Sequence, residues 1–291
     1  MADIPLGLKG TVTKDNFGGA SMPGMAPTYP MCGPGDVWKW LDIDVVLIDY
    51  TTDAAAAAAV LPAECNLVAI PSAPGQSAVK MIWANYRAGT LGPYYEVIQN
   101  IPCIYKGQLY LYVYQIWVTT DDAMASGREL GGYPKKLADI GLTYFGNVWT
   151  GSLDRPAGNR IASFSFNTTG KMVSLPLPAD RKPTFPFPYN LTLPLPEPTG
   201  KSQPLPFQTM ASRFILNPQW ETDKRPKWAL AQLNYSTWTL EKGELWAGDA
   251  TLALRPSDQD PVHKLPVNMV LDAMLFQGDM YSPRVGTIQD L

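Results

Sequence analysis

The segment Leu109–Val118 constrains the fold of this chain more than any other part of its sequence. Successive side chains of a β-strand point to opposite faces, so the segment divides into two sets of residues. One set is Leu109, Leu111, Val113, Gln115 and Trp117, and the other is Tyr110, Tyr112, Tyr114, Ile116 and Val118. Because both sets are largely apolar, we predict a strand that is buried on both sides or that lines an enclosed cavity on one of them.

Most other apolar runs have a similar composition, rich in β-branched and aromatic residues, and turns rich in glycine and proline separate them. Two segments indicate helices. Ala54–Ala59 is all alanine, follows Asp53 as a helix N-cap and precedes Pro62, which cannot continue a helix. Residues 265–281 are predicted to form the second helix. The fold class that we predict is therefore α+β, mainly antiparallel β, with a few short helices.

The organisation of the chain is predicted from the distribution of its linker-forming residues. No charged or serine-rich linker divides it, so we predict that residues 1–291 form a single domain. Residues 1–36 are rich in glycine, proline and methionine and are predicted to form an extended N-terminal arm. Ten prolines exclude a helix or a central strand from residues 175–207, which we predict to be a proline-rich loop that could act as an arm in an oligomer.

The composition argues against several kinds of partner and site. A formal net charge of −3 without clustered lysine or arginine argues against nucleic-acid binding, and no stretch of about 18 uncharged apolar residues could span a membrane. A single histidine, His263, and three cysteines without a CxxC pair provide neither a metal site nor a disulfide framework. Since the N-terminus has no secretory signal pattern, we expect a reducing, cytoplasmic location.

The segment SGRELGGYPKKLADIG, residues 126–141, is the part of the sequence most informative about chemistry. On a strand, Lys135 and Lys136 would point to opposite faces, so one could enter a cavity while the other stays in solvent or supports it from behind. A pair of lysines alone is most often a solvated surface feature. The surrounding motif therefore decides between the two interpretations.

The motif GRELGGYPKKLA resembles the active-site segment of the acetoacetate decarboxylase family, in which a lysine after Tyr-Pro forms a Schiff base with a ketone. Upstream, YTTDAAAAAAVLP resembles the family's strand, helix and proline stop, and Glu96 precedes Lys135 by 39 residues, the spacing of the family's catalytic glutamate. Residues 149–154, 244–254 and 265–274 resemble later blocks of the family. The resemblance implies a closed, cone-like β-barrel with a flanking sheet, a cofactor-independent reaction and a homo-oligomer.

The resemblance also implies roles for three residues. Lys135 corresponds to the Schiff-base lysine, Lys136 to its cationic neighbour and Glu96 to the carboxylate of the pocket. A lysine with the ordinary pKa of about 10.4 is neutral in only about one molecule in 2,500 at pH 7, and burial in an apolar pocket lowers such a pKa. Desolvation of this kind is how acetoacetate decarboxylase itself activates its lysine. An iminium on Lys135 could accept the electrons of a breaking C–C or C–H bond, while Glu96 orients the substrate or transfers a proton.

Further site residues are predicted around this core. The residues that could line the substrate pocket are Tyr133, Trp117, Gln115, Tyr94 and Tyr95. Arg128 and Glu129 belong to the same motif and are predicted to form a structural ion pair at the turn. We predict no metal ligands.

One feature departs from the family pattern. The decarboxylases carry an N-terminal arginine that addresses the substrate carboxylate, whereas the matching stretch of this chain offers Asp42, Ile43 or Asp44, and its first arginine is Arg87. Acidic residues would repel a β-keto acid. Lys39 could compensate, although as a point charge and not as a bidentate fork. The departure puts simple acetoacetate decarboxylation in doubt but leaves iminium chemistry open.

Three hypotheses of function follow from these observations. The leading one is a cofactor-independent lyase that acts on an oxo acid or ketone through a Lys135 Schiff base, as a decarboxylase, an aldolase or a dehydratase. Its partner would be a small-molecule carbonyl substrate. The alternative is a barrel that binds an apolar ligand without covalent chemistry, as a carrier or a cyclase, for example in secondary metabolism. An assembly protein with an inactive family site is the least favoured, because both Lys135 and Glu96 are present.

Overall fold

The computed structural model describes residues 38–61, 68–105, 108–129, 133–175, 207–216, 228–282 and 286–290. The predicted N-terminal arm lies outside these residues. So does the predicted proline-rich loop, except for the two strand ends that flank it. The described residues contain no helix long and apolar enough to cross a membrane.

Strands dominate the described part of the chain. They are β1 (Trp38–Asp53), β2 (Val68–Ala69), β3 (Pro71–Ala73), β4 (Gln76–Gly89), β5 (Tyr94–Tyr105), β6 (Gln108–Val118), β7 (Lys135–Leu137), β8 (Asp139–Phe145), β9 (Val148–Asp154), β10 (Arg160–Leu175), β11 (Phe207–Leu216), β12 (Trp228–Leu254), β13 (Met269–Ser282) and β14 (Gly286–Asp290). The helices are α1 (Ala54–Val60), α2 (Asp121–Glu129) and a short 3₁₀-helix (Val262–Lys264).

Seven of the strands close into a barrel. Neighbours pair in the order β11, β6, β5, β4, β1, β13 and β12, and β11 also pairs with β12, which completes the ring. The pairing is antiparallel except between β11 and β6. Beyond β12, the order continues through β10, β9 and β8, which form the flanking sheet. The structure confirms the predicted fold class, a mainly antiparallel barrel with a flanking sheet and few helices.

The barrel wall has two buried faces, which explains why its strands are apolar throughout. The lumen face carries Val45 and Leu47 of β1, in one cluster with Tyr86, Tyr94 and other side chains of the neighbouring strands. The opposite face, which we call the outer face, packs against the flanking sheet, and the rings of Trp83 and Phe164 meet there at 4.9 Å. Strand β6 contributes to both faces, as predicted, but the two predicted sets of residues are interrupted. A register shift against β5 places Val113 on the face of Ile116 and Tyr114 on the face of Trp117.

The predicted helices have different outcomes. The alanine helix is confirmed, since α1 begins directly after Asp53 and ends at Val60, two residues before Pro62. The helix predicted at residues 265–281 is wrong, because most of this segment is β13, which pairs with β1 on one side and β12 on the other. A central strand that is buried on both faces lacks the alternating pattern that separates strands from helices. Helix α2 was not predicted.

Candidate active site

Lys135 and Glu96 meet on the lumen face. Lys135 opens β7, which pairs in parallel with β6, and Glu96 lies on β5, on the other side of β6. The Nζ atom of Lys135 is 2.5 Å from Oε2 of Glu96, and the two side chains are 7% and 1% exposed. The chain therefore holds a primary amine and a carboxylate in direct contact inside the barrel, away from bulk water.

Helix α2 packs directly on the Lys135 side chain. The backbone N–H of Tyr133 donates to the carbonyl of Gly127 at 3.0 Å, and Arg128 Nη1 donates to the carbonyl of Lys135 at 3.2 Å. A Cβ atom on Gly127 would overlap Cδ and Cε of Lys135. The glycine of the GREL sequence is thus the residue that leaves room for the lysine to reach Glu96.

We expect Gly127→Ala to destabilise the protein by about 1–3 kcal/mol, the usual cost of overpacking a buried site. Alanine normally stabilises a helix relative to glycine, so the sign of the change comes from the overlap with Lys135. Urea unfolding measures the effect. Gly170→Ala is the control, because a Cβ there meets nothing within 4 Å; equal effects of the two substitutions would contradict the packing argument.

Two buried tyrosines complete the surroundings of the pair. Tyr86 donates its hydroxyl hydrogen to Oε1 of Glu96 at 3.1 Å, and the Tyr94 ring centre is 5.8 Å from Lys135 Nζ. The indole N–H of Trp40 donates to the Tyr94 hydroxyl at 2.9 Å. Burial, followed by the charge of Glu96, raises the pKa of both tyrosines well above 10. Both phenols therefore stay protonated at neutral pH, and Tyr86 fixes the orientation of the carboxylate.

Lys136 points away from this pair and joins a separate ionic cluster. Its Nζ atom donates to Asp260 Oδ1 at 2.8 Å and to the carbonyl of Gln259 at 3.0 Å. The fully buried Asp260 also accepts from the indole N–H of Trp117 and from Arg155. Burial raises the pKa of Asp260, but the bonds from Lys136 and Trp117 outweigh it and the net shift is downward. Asp260 is ionised, and it anchors β7 from behind the amine.

The predicted pocket residues divide between the two faces. Tyr94 lies beside Lys135, and Tyr133 packs with lumen-face side chains of β5 and β6. Tyr95 packs against the outer core, while Gln115 and Trp117 contact the Lys136–Asp260 cluster. The structure therefore does not bring these last three residues to Lys135. The side chain of Glu129, the predicted partner of Arg128, lies outside the described residues.

Of the three residues in the stretch where the arginine is expected, Ile43 is the one whose side chain lies on the lumen face. Ile43 is fully buried in the lumen-face cluster that contains Tyr86 and Tyr94. Asp44 points to the outer face, where it pairs with Arg87 and accepts from the side-chain amide of Gln277. A cavity of about 410 Å³ lies beside Arg87 and Asn85. Lys39 is exposed on β1. Among the described residues, neither Arg87 nor Lys39 forms an ion pair or hydrogen bond with Lys135 or Glu96.

Sequence reasoning missed Asp260 as a functional neighbour, because it lies 124 residues from Lys136 and no local pattern connects them. It also missed Tyr86, whose contact with Glu96 follows from the pairing of β4 with β5. A group of His, Cys, Asp or Glu side chains able to hold a metal ion is absent from the described residues.

Comparison with known proteins identifies the family. The sequence model of the acetoacetate decarboxylase (ADC) family matches residues 21–290. The chain is 28% identical over 261 residues to acetoacetate decarboxylase 3 of Mesorhizobium japonicum, covering 89% of this chain and 86% of the relative. It is 24% identical over 252 residues to decarboxylase DEC1 of Cochliobolus heterostrophus, covering 85% and 86%. The chain belongs to the acetoacetate decarboxylase family.

Solved structures share the fold. Acetoacetate decarboxylase from Legionella pneumophila superposes with a TM-score of 0.67 at 19% identity, over 98% of this chain and 99% of the other. The enduracididine biosynthesis enzyme MppR, in complex with the condensation product of pyruvate and imidazole 4-carboxaldehyde, superposes with a TM-score of 0.57 at 15% identity, over 88% and 90%. At these identities, the two structures establish the fold alone.

Proposed function

We propose that this protein is a cofactor-independent lyase that forms a Schiff base between Lys135 and an oxo acid or ketone. The observation that carries the proposal is the buried contact of 2.5 Å between Lys135 Nζ and Glu96 Oε2. Membership of the acetoacetate decarboxylase family supports it. Glu96 and Lys135 are the catalytic residues of the proposal.

The pair can supply each proton transfer that Schiff-base formation needs. The amine is nucleophilic only when neutral, so Glu96 holds the proton while Nζ attacks the carbonyl carbon. The resulting carbinolamine loses its hydroxyl group as water, with the proton returned from Glu96, and leaves an iminium on Lys135. This cation then accepts the electron pair of a bond to the adjacent carbon and forms an enamine. When the bond is C–H, its proton passes to the Glu96 carboxylate; when it is C–C, the fragment leaves as an aldehyde or ketone, whose hydroxyl proton passes to Glu96, or as carbon dioxide. Tyr86 keeps the carboxylate aligned throughout.

Among the possible reactions, we propose aldol, retro-aldol or dehydration chemistry ahead of decarboxylation. In the stretch where a carboxylate-binding arginine is expected, the lumen-facing residue is Ile43, which offers a β-keto acid no cation. MppR, which shares this fold, binds a condensation product of pyruvate and an aldehyde, and this supports condensation chemistry of carbonyl compounds. Lys136, in this proposal, positions β7 through Asp260 and does not touch the substrate.

Borohydride trapping tests the proposal. We expect incubation with acetone, pyruvate or longer ketones, followed by reduction, to add the mass of the reduced carbonyl compound to Lys135, located by peptide mass spectrometry. Lys242, an exposed lysine paired with Asp279 at 2.9 Å, is the internal control and should stay unmodified. Absence of an adduct on Lys135 with every carbonyl compound would refute the Schiff base. Retained binding of an apolar ligand by Lys135→Ala would then favour the non-covalent barrel or cyclase.

A further inference from the structure

A second buried lysine–carboxylate pair lies on the lumen face. The Nζ atom of Lys80 is 2.6 Å from Oδ2 of Asp49, and the side chains are 3% and 1% exposed. These residues lie directly opposite each other on β4 and β1, two residues along from the pair Leu47 and Ile82. Side chains two residues apart on a strand share a face, so Lys80 lies on the same face as Leu47.

Asn100 lies beside Lys80 and has unmet hydrogen-bonding capacity. It is the cross-strand neighbour of Lys80 on β5 and is fully buried. Neither its amide nitrogen nor its amide oxygen has a hydrogen-bond partner among the described residues. The adjacent Gln99, on the outer face, donates to Tyr50 at 2.8 Å and to the carbonyl of Val262 at 3.0 Å. Because buried polar groups are normally paired, the Asn100 amide marks a place for a missing partner.

The lumen face between Glu96 and Asn100 is apolar, and one of its side chains is still partly accessible to solvent. Ile82 and Ile98 lie opposite each other between the Glu96 row and the Asn100 row. Ile82 is partly exposed although it lies in the middle of β4, whereas its neighbours Met81 and Trp83 on the outer face are fully buried. Asn100 is four positions along β5 from Glu96, which is about 13 Å.

The charges around Asn100 favour a neutral group over an anion. Asp49 compensates the charge of Lys80 by direct contact. Asp272 lies opposite Asp49 on β13, and burial, with a contribution from Asp49, raises its pKa. Because the charge of Lys80 is already compensated, a carboxylate there would lose its hydration without gaining an unpaired cation, whereas a hydroxyl, amide or carbonyl group could use the donor and the acceptor of Asn100.

We propose that Asn100 is a specificity-determining residue that binds a neutral hydrogen-bonding group of the substrate about 13 Å from the Lys135–Glu96 pair. The inference rests on the proposed function and narrows its substrate to an elongated, uncharged carbonyl compound. Such a compound has an apolar middle that contacts Ile82 and Ile98, and a distal hydroxyl, amide or carbonyl that contacts Asn100.

Three methyl ketones of similar length test the inference: 8-hydroxyoctan-2-one, octan-2-one and 7-oxooctanoate. The measurement is the concentration of each that gives half-maximal borohydride trapping at Lys135. We expect the hydroxyketone to require a concentration about tenfold lower than the alkyl ketone, the effect of about one hydrogen bond, and the oxo acid to be the weakest. Asn100→Leu and Asn100→Val should abolish this preference. Asn85→Leu is the matched control on the outer face of β4 and should retain it.

A second measurement separates this inference from the proposed function. Calorimetric titration with octan-1-ol and with octanoate measures binding without any carbonyl group. We expect octan-1-ol to bind more tightly than octanoate to the unmodified protein, and to lose about tenfold in affinity in Asn100→Leu. If no ketone is trapped at Lys135 but octan-1-ol still binds more tightly than octanoate, the Schiff base is refuted and the role of Asn100 is retained. Equal binding of alcohol and carboxylate, or a preference that survives in both Asn100 variants, would refute the role of Asn100.

Discussion

Replacing Lys135 with methionine is expected to reduce the exchange of acetone methyl protons for deuterium to the rate of buffer alone. An iminium on Lys135 makes the neighbouring C–H bonds acidic, and its enamine takes up deuterium from the solvent, so exchange reports the intermediate without knowledge of the natural substrate. Proton NMR in D₂O follows the reaction directly. The matched control is Lys242→Met, which removes an exposed lysine paired with a carboxylate and should leave the exchange rate unchanged.

Lys135→Met is also expected to destabilise the protein, and a second variant separates this loss of stability from the loss of exchange activity. Lys135→Met leaves Glu96 buried without its cationic partner, which costs about 3–5 kcal/mol for a broken buried ion pair. Adding Glu96→Gln removes the uncompensated charge, so the double variant should recover most of that loss in urea unfolding and still fail to catalyse exchange. Exchange above the buffer rate in either folded variant would exclude Lys135 as the nucleophile.

Glu96→Gln alone is expected to slow the same exchange by about 10²–10⁴-fold, the usual contribution of a general acid–base group. Glutamine has nearly the shape of glutamate, and its amide oxygen can still accept the hydrogen bond from Tyr86, but it cannot carry a proton between the amine and the carbonyl oxygen. The rate is measured by NMR, together with the amount of adduct trapped after long incubation.

Long incubation should still allow Glu96→Gln to form the adduct on Lys135, because the substitution removes proton transfer and leaves the nucleophile. The control is Glu244→Gln, which changes a half-exposed carboxylate of β12 that pairs with Lys171 of β10. An exchange rate in Glu96→Gln equal to that of the unmodified protein would show that Glu96 only balances the charge of the lysine.

Local sequence patterns predicted those parts of the fold that depend on the propensity and alternation of neighbouring residues. The alanine helix after Asp53 and the two-sided burial of β6 follow from local propensity and alternation. The contact of Lys135 with Glu96 could be anticipated only through the spacing shared with the family, since the two residues are 39 positions apart and lie on different strands. Segment β13 misled the prediction because its position in the middle of the sheet buries both of its faces.

The remaining features of the site depend on strand register, which local sequence does not encode. Lys80 finds Asp49 only because β4 aligns with β1, and Asn100 becomes their neighbour through a second alignment with β5. Gln115 and Trp117 were predicted to line the substrate pocket. The face to which they point instead brings Gln115 to Lys136 and Trp117 to Asp260.

The attachment of β7 has a consequence for how new substrates arise in this family. Arg128 and Arg155 hold the carbonyls of Lys135 and Leu137, and Lys136 fixes the strand to Asp260, so the amine that we propose as the nucleophile is held in place through the main chain of β7. Side chains across the cavity, such as Ile43 and Asn100, take no part in this attachment. Under the proposed mechanism, mutation can therefore change the side chains that select the reactant while Lys135 stays in register, so divergence in specificity need not begin with a loss of the covalent step.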